Sequence, residues 1–275
     1  MAKVQDLNAR VIRREEVAPG NIIVRVVPDG WTLPEFTPGQ YTVLGLPGTA
    51  DRSPLCDPED APPKKPERLI KRAYSVASSS VEAEYLEFYI STVRSGSLTP
   101  RLYNLQIGDK IWMSPKIVGY LTLEVVPEDA NVVLIATGTG LAPYMSMIRT
   151  LASKGGFDRR YAVIHGARHS WDLGYQAELQ TLASISPALT YIPIISEPDK
   201  EPMGWRGQVG FVKDGWDSGI ITKRWGQHPT AENTHVFLCG NPLMVDSALE
   251  FLTAEGWVED RKGDPGTIHY ESYWK

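Results

Sequence analysis

Residues 131–153 read NVVLIATGTGLAPYMSMIRTLAS. After Asn131, residues 132–136 form an unbroken apolar run, as a strand covered on both faces does. Gly138, Gly140 and Pro143 follow, and the remainder predicts a helix. Backbone amides at such a helix start can face a pyrophosphate, and the helix dipole favours the anion. The glycines let backbone and ligand come close. An ordinary tight strand-to-helix turn would read the same way, and the third glycine of a G-x-G-x-x-G pattern is here Pro143. Position favours the ligand: this is the first strand–helix turn of a doubly wound pattern, where dinucleotides bind.

The pattern continues downstream. RYAVIHGA, LTYIPIIS and HVFLCG predict strands; DLGYQAELQTLAS and PLMVDSALEFLTAEG predict helices, the last capped by Gly256. Strands alternating with helices imply a parallel sheet with helices on both faces. No acidic residue stands roughly twenty positions beyond the glycine turn. The second strand ends instead in HGARHS, where Arg168 suits the 2′-phosphate of NADP better than the free hydroxyl of NAD; a solvated surface arginine is the plainer alternative.

Upstream the rhythm differs. RVIRREEV, NIIVRVVP, FTPGQYTVLGL, YLEFYISTV and DKIWMSPKIVGYLTL give short Val/Ile-rich strands punctuated by Pro and Gly, as in an antiparallel barrel or sandwich. Within YLEFYISTV, Tyr85, Glu87 and Tyr89 alternate with Leu86, Phe88 and Ile90. Residues 49–70, TADRSPLCDPEDAPPKKPERLI, predict a long exposed loop. The change of rhythm places a domain boundary near 124–130, giving residues 1–127 and 128–275.

The 275 residues suffice for two domains, and 42% hydrophobic with 22% charged residues supports a buried core. A net charge of -5 argues against nucleic acid. Two cysteines, Cys56 and Cys239, are too few for a four-cysteine iron–sulfur centre, and no metal site is predicted. The start, MAKVQDLNARVIRREEV, lacks an apolar signal core, and no apolar run is long enough to span a bilayer. A cytoplasmic protein with no membrane partner is expected.

RAYSVASS, residues 72–79, sets a cation, a flat ring and hydroxyls side by side. A flavin would need all three, although a surface strand could carry them by chance. The succession of RAYS, FYISTVRSGSLTPRL, ATGTGLAPYMSMI, FLCGNPLMV and the terminal YESYWK closely resembles the bacterial ferredoxin/flavodoxin–NADP reductases over nearly the whole chain. The resemblance implies an antiparallel β-barrel for FAD followed by a doubly wound α/β parallel sheet for NADP. It implies that NADPH delivers a hydride to flavin N5 and that single electrons pass on to a ferredoxin or flavodoxin. The active site is then expected where the two domains adjoin.

Residue by residue, the resemblance gives Arg72 to the FAD pyrophosphate, with Ala73 beside it, Tyr74 to the isoalloxazine face and Ser75 to N5. Tyr89, Ile90, Ser91 and Thr92 match a strand lining FAD. Ser97, Leu98 and Thr99 match a turn into a helix facing its phosphates, where a plain helix cap would serve as well. Gly138, Thr139 and Gly140 match the dinucleotide turn, Thr139 also touching FAD. Cys239 and Gly240 match positions near the nicotinamide, Cys239 acting by shape rather than as a nucleophile. Arg168 and Arg206 match arginines that hold the 2′-phosphate. Glu271 falls near the hydride-transfer site, and Tyr273 and Trp274 match aromatics that cover FAD rings.

Two departures stand out. Glu197 replaces an arginine of the relatives and should repel a 2′-phosphate. The 49–70 stretch is longer than in relatives; Lys64, Lys65, Arg68 and Lys71 in and after it would suit an acidic protein partner. An NADH-dependent reductase component of an oxygenase and a non-catalytic flavin-binding protein are the alternative readings.

Overall fold

Pro19 and Gly20 turn the chain back on itself: proline presets φ, and Gly20 takes φ +81°, which glycine adopts without strain. The hairpin joins β1 (Ala9–Ala18) to β2 (Asn21–Pro28). With β3 (Tyr41–Pro47), β4 (Leu69–Ser75), β5 (Leu86–Ser91) and β6 (Lys110–Met113) they form an antiparallel sheet of order β4-β3-β6-β1-β2-β5. Its edge strands β4 and β5 approach each other, and of the barrel and sandwich that the strand rhythm left open the sheet is a β-barrel. Val11, Ile22, Val24, Leu44, Phe88, Ile111 and Met113 fill its core, closed at one end by the short helix α1 (Thr99–Asn104).

The structure, a computed structural model, describes residues 6–59, 61 and 63–271. It falls into two units, Met1–Thr122 with Met145–Thr150, and Leu123–Tyr144 with Leu151–Lys275.

Two features of the first unit depart from the sequence reading. The alternation in β5 does not mark one wet face, since Leu86 through Ile90 are all buried. Glu87, 1% exposed, is bonded by Arg25 Nε at 2.7 Å and by Arg149 Nη1 at 2.6 Å, Arg149 lying on the Met145–Thr150 stretch. The 49–70 stretch is not simply exposed either. Its last two residues open β4, Ser53 is buried, and Arg52 and Glu59 tie it down, as described below.

The second unit is a parallel sheet of order β10-β9-β8-β7-β11-β12. Its strands are β7 (Asn131–Thr137), β8 (Tyr161–Ala167), β9 (Leu189–Ile195), β10 (Gln208–Val209), β11 (Thr234–Cys239) and β12 (Ile268–Glu271). The helices are α2 (Ala142–Ser153), α3 (Gln176–Ile185), α4 (Val212–Asp217), α5 (Ile220–Trp225) and α6 (Pro242–Ala254). Helix α6 ends as Gly256 predicts. Gly256 adopts φ +91°, its N–H reaches Thr253 O, and the N–H of buried Trp257 reaches Leu252 O, a Schellman motif. β12 was not foreseen: the approach to the tail pairs in parallel beside β11, with Glu271 in register with Cys239. No helix among the described residues is long and apolar enough to cross a membrane.

Glu87→Ala leaves Arg25 and Arg149 without their shared buried anion. Urea unfolding should report a loss of about 3–5 kcal/mol, as for other broken buried ion pairs.

Candidate functional site

The sheet of the second unit reverses direction at β7. The chain steps outward from β7 through β8 and β9 to β10, then returns to the other flank of β7 as β11. In open α/β sheets ligands bind at such a switch point, outside the carboxyl ends of the two strands. Here those ends are Thr137-Gly138-Thr139-Gly140 and Cys239-Gly240-Asn241, and they interlock. Gly138 takes φ +55°. A Cβ on Gly140 would lie 2.2 Å from the Cys239 carbonyl oxygen, and one on Gly240, at φ +142°, would lie 2.6 Å from Thr137 O. Thr137 Oγ1 accepts the Asn241 N–H at 3.0 Å. Asn241 Oδ1 in turn accepts from Leu243 N at 2.9 Å, capping α6 behind Pro242. The β7 and β11 turns, read separately in the sequence, are one construction.

Cys239 is fully buried on this floor. Burial, with Glu271 beside it, pushes its thiol well above the ordinary range. A thiol held protonated is a poor nucleophile.

Arg168 and Arg206 are both exposed, Arg168 just past β8 and Arg206 before β10. The end of β8 carries more acid than the sequence reading allowed for. The Glu197 N–H pairs with Arg168 O at 2.9 Å, and its carboxylate binds Lys200 and lies 3.4 Å from His169 Nε2. The Lys200 bond holds that carboxyl below its usual range, with Arg168 and His169 assisting. Glu201, which the sequence did not single out, binds Ser170.

In the first unit the residues of interest lie along the barrel edge. On β4, Arg72 and Tyr74 are two residues apart and so share a face of the pleat. Arg72 and Ala73 are exposed; Arg72 Nη1 donates to the neighbouring Lys71 O at 2.7 Å. Tyr74 is half-buried against the barrel core, and burial pushes its phenol upward despite the nearby Arg72. Ser75 ends the strand, half-buried. On β5, Tyr89 and Ile90 are closed off from solvent, whereas the Ser91 hydroxyl donates to Asn21 Oδ1 at 2.5 Å. Thr92 Oγ1 is buried without a hydrogen-bond partner among the described residues.

Neither Ser97 nor Thr99 caps α1. The N-cap position falls on Leu98, without a side-chain cap. Thr99 Oγ1 instead accepts the Val93 N–H at 3.0 Å and donates to Val93 O at 3.2 Å, closing the 93–99 loop. The sequence reading missed what holds this loop. Arg52 donates to Gly96 O at 2.8 Å, Arg94 O at 3.2 Å and Asp57 O at 2.7 Å. Arg101, 3% exposed, grips both oxygens of Glu59 at 2.9 and 3.0 Å and donates to Ser97 O and Gly48 O. The Arg101 fork keeps Glu59 ionised below its usual range. Tyr273 and Trp274 lie outside the described residues.

Residues 134–250 match the oxidoreductase NAD-binding domain family. The chain is 32% identical to the flavodoxin/ferredoxin–NADP reductase of Buchnera aphidicola subsp. Baizongia pistaciae, over 87% of this chain and 88% of the relative. It is 29% identical to the reductase component of propane 2-monooxygenase from Rhodococcus jostii, over 94% of this chain and 62% of the relative. A solved ferredoxin NADP+ reductase from Neisseria gonorrhoeae, with FAD and NADP bound, is 23% identical. It matches with a TM-score of 0.78 over 97% of this chain and 98% of that one, so the two share a fold.

Gly140→Ala drives a methyl group into the Cys239 carbonyl, and the neighbour that must yield is backbone. Thermal or urea unfolding should show a loss of roughly 1–3 kcal/mol, the usual cost of overpacking.

Proposed function

The chain belongs to the flavodoxin/ferredoxin–NADP reductase family, and on that premise we propose that it is an FAD-dependent oxidoreductase that passes electrons between NADPH and a ferredoxin or flavodoxin. The observation that carries this reading is the interlocked pair of glycine turns at the β7/β11 switch point, the place where open α/β sheets bind their ligands. We assign FAD to residues 1–127 and NADP(H) to residues 128–275. A cytoplasmic setting agrees with the two unpaired thiols, Cys56 and Cys239.

The barrel residues fit an FAD. The Arg72 guanidinium has spent one donor on a neighbouring carbonyl and stands exposed, and Thr92 Oγ1 is a buried hydroxyl awaiting a partner. Arg72 would hold the pyrophosphate, Tyr74 would back the isoalloxazine ring, and Ser75 would hydrogen-bond its reactive nitrogen. Ser91 and Thr92 would border it, with the 93–99 loop at its phosphates. When bound, the flavin supplies the exchange between a two-electron nicotinamide and a one-electron carrier. The protein's part is to place and insulate. Burial keeps the Tyr74 phenol and the Cys239 thiol protonated, so neither brings charge to the reacting rings. Glu271, in register with Cys239, brings the titratable carboxyl to the β11/β12 end.

The partner surface includes Lys64, Lys65 and Arg68, all exposed. Lys71 differs, since its ammonium sits 3.5 Å from the Trp112 ring centroid and burial lowers its pKa. An NADH-dependent reductase component of an oxygenase is the second reading, favoured by Glu197 and Glu201 at the nucleotide end of the sheet.

Anaerobic addition of NADPH to the purified yellow protein should bleach it, and ferredoxin or flavodoxin should restore the colour. A yellow protein indifferent to both nicotinamide nucleotides would be a flavin binder and no enzyme. Arg72→Ala should weaken FAD retention about ten- to a hundredfold, read as flavin fluorescence released on dilution. Neutralising Lys64, Lys65 and Arg68 together should slow carrier reduction by about tenfold or more at low ionic strength. That difference should shrink as salt rises past roughly 0.15 M; an unchanged rate at low salt removes these cations from the docking surface.

A further inference from the structure

In a doubly wound sheet the carboxyl end of the strand after the glycine turn meets the adenosine ribose. A carboxylate there accepts from the 2′-hydroxyl of NADH, and an arginine accommodates the 2′-phosphate of NADPH. In this chain that strand is β8, and it runs on into Arg168-His169-Ser170. Ser170 offers two donors, a backbone N–H and a hydroxyl. Together they form an anion grip of the kind a phosphate uses.

The grip is already filled. The Ser170 N–H donates to Glu201 Oε1 at 2.6 Å, and the Ser170 hydroxyl donates to Glu201 Oε2 at 2.6 Å. One carboxylate therefore takes both donors in a two-pronged, charge-assisted contact. The hydroxyl bond and then the amide bond lower the Glu201 pKa, so the carboxylate is charged at neutral pH. Around it His169 is turned to other acids: Nδ1 lies 3.0 Å from Asp172 Oδ2, Nε2 lies 3.4 Å from Glu197 Oε2, and the ring stacks on Trp171. Glu197 is itself held by Lys200, and Arg168 is a second exposed cation near it.

We propose that Glu201 is a specificity-determining residue for the nicotinamide nucleotide: its carboxylate occupies the Ser170 amide and hydroxyl that a 2′-phosphate would otherwise take. The inference rests on the reading that the β7 turn receives a nicotinamide dinucleotide. An incoming 2′-phosphate must displace an anion tethered to the chain and then sit beside it. Like charges at such separations repel. The 2′-hydroxyl of NADH is neutral and can donate to the same carboxylate. Arg168 still attracts the phosphorylated nucleotide, so the balance is a compressed preference: NADPH is used, and NADH is used beside it.

The test compares the FAD-loaded full chain with Glu201→Gln and with Glu201→Gln combined with Ser170→Ala, using ferricyanide as acceptor. Glutamine is nearly isosteric and removes the charge. In Glu201→Gln the ratio of kcat/KM for NADPH over NADH should rise by about tenfold or more, the usual weight of a hydrogen bond to a charged group. The change should lie in KM for NADPH and not in kcat. Adding Ser170→Ala should cut the gain back, because the hydroxyl donor is then gone and only the backbone N–H remains. Direct titration gives a readout independent of turnover: 2′,5′-ADP should bind Glu201→Gln more tightly than it binds the native chain, and 5′-AMP should not. A parallel shift for both nucleotides, or an unchanged ratio with unchanged 2′,5′-ADP affinity, overturns the proposal. If the native chain binds neither adenosine phosphate and is reduced by neither nucleotide, the dinucleotide reading fails and takes this inference with it.

Discussion

The site depends on one steric fact: no side chain fits between residue 140 and the carbonyl of residue 239. Two turns that leave adjacent parallel strands must cross within backbone contact. That contact is possible only where glycine stands on each side and Thr137 bridges to Asn241. The arrangement sets the two glycine turns side by side at the switch point and leaves Cys239 fully buried there. The buried Cys239 thiol, the Asn241 cap of α6 and Glu271 on β12 all lie at this end of the sheet.

Much of this was legible in the sequence because it depends on local chemistry. Pro19-Gly20 announces a turn, Gly256 announces a helix end, and an apolar run before Gly138 announces a covered strand. What stayed hidden depends on partners distant in the chain. Glu87 reads as the polar member of an alternating strand, and its burial is explained by Arg25 and Arg149, each 62 residues away in the chain. Strand β12 is four residues long and becomes a strand because the edge of β11 is there to pair with it. Helices α4 and α5 have six residues each, too short for a periodic signal, and a left-handed Gly219 parts them. Glu201 and Ser170 are 31 residues apart, and both belong to types that usually face water. The motifs marked Arg168 and Arg206 but could not show which anion already occupies the ground nearby.

The two units treat charge differently. Along β4 the barrel leaves an arginine exposed and nearly unused, a cation ready for a ligand. At the end of β8 the sheet binds its acids internally, to Ser170, Lys200 and His169. Holding Arg72 open is consistent with a permanently bound anionic cofactor.

The Arg101–Glu59 fork carries a further consequence. A guanidinium sealed in the barrel draws its counter-charge from a surface stretch 42 residues earlier, and the same side chain fastens the 93–99 loop through Ser97. The length of that stretch is therefore not free to drift. A descendant or an engineered variant that trimmed residues 50–66 would strand a buried cation beside the 93–99 loop unless position 101 changed at the same time. The two segments should be inherited, and redesigned, as one unit.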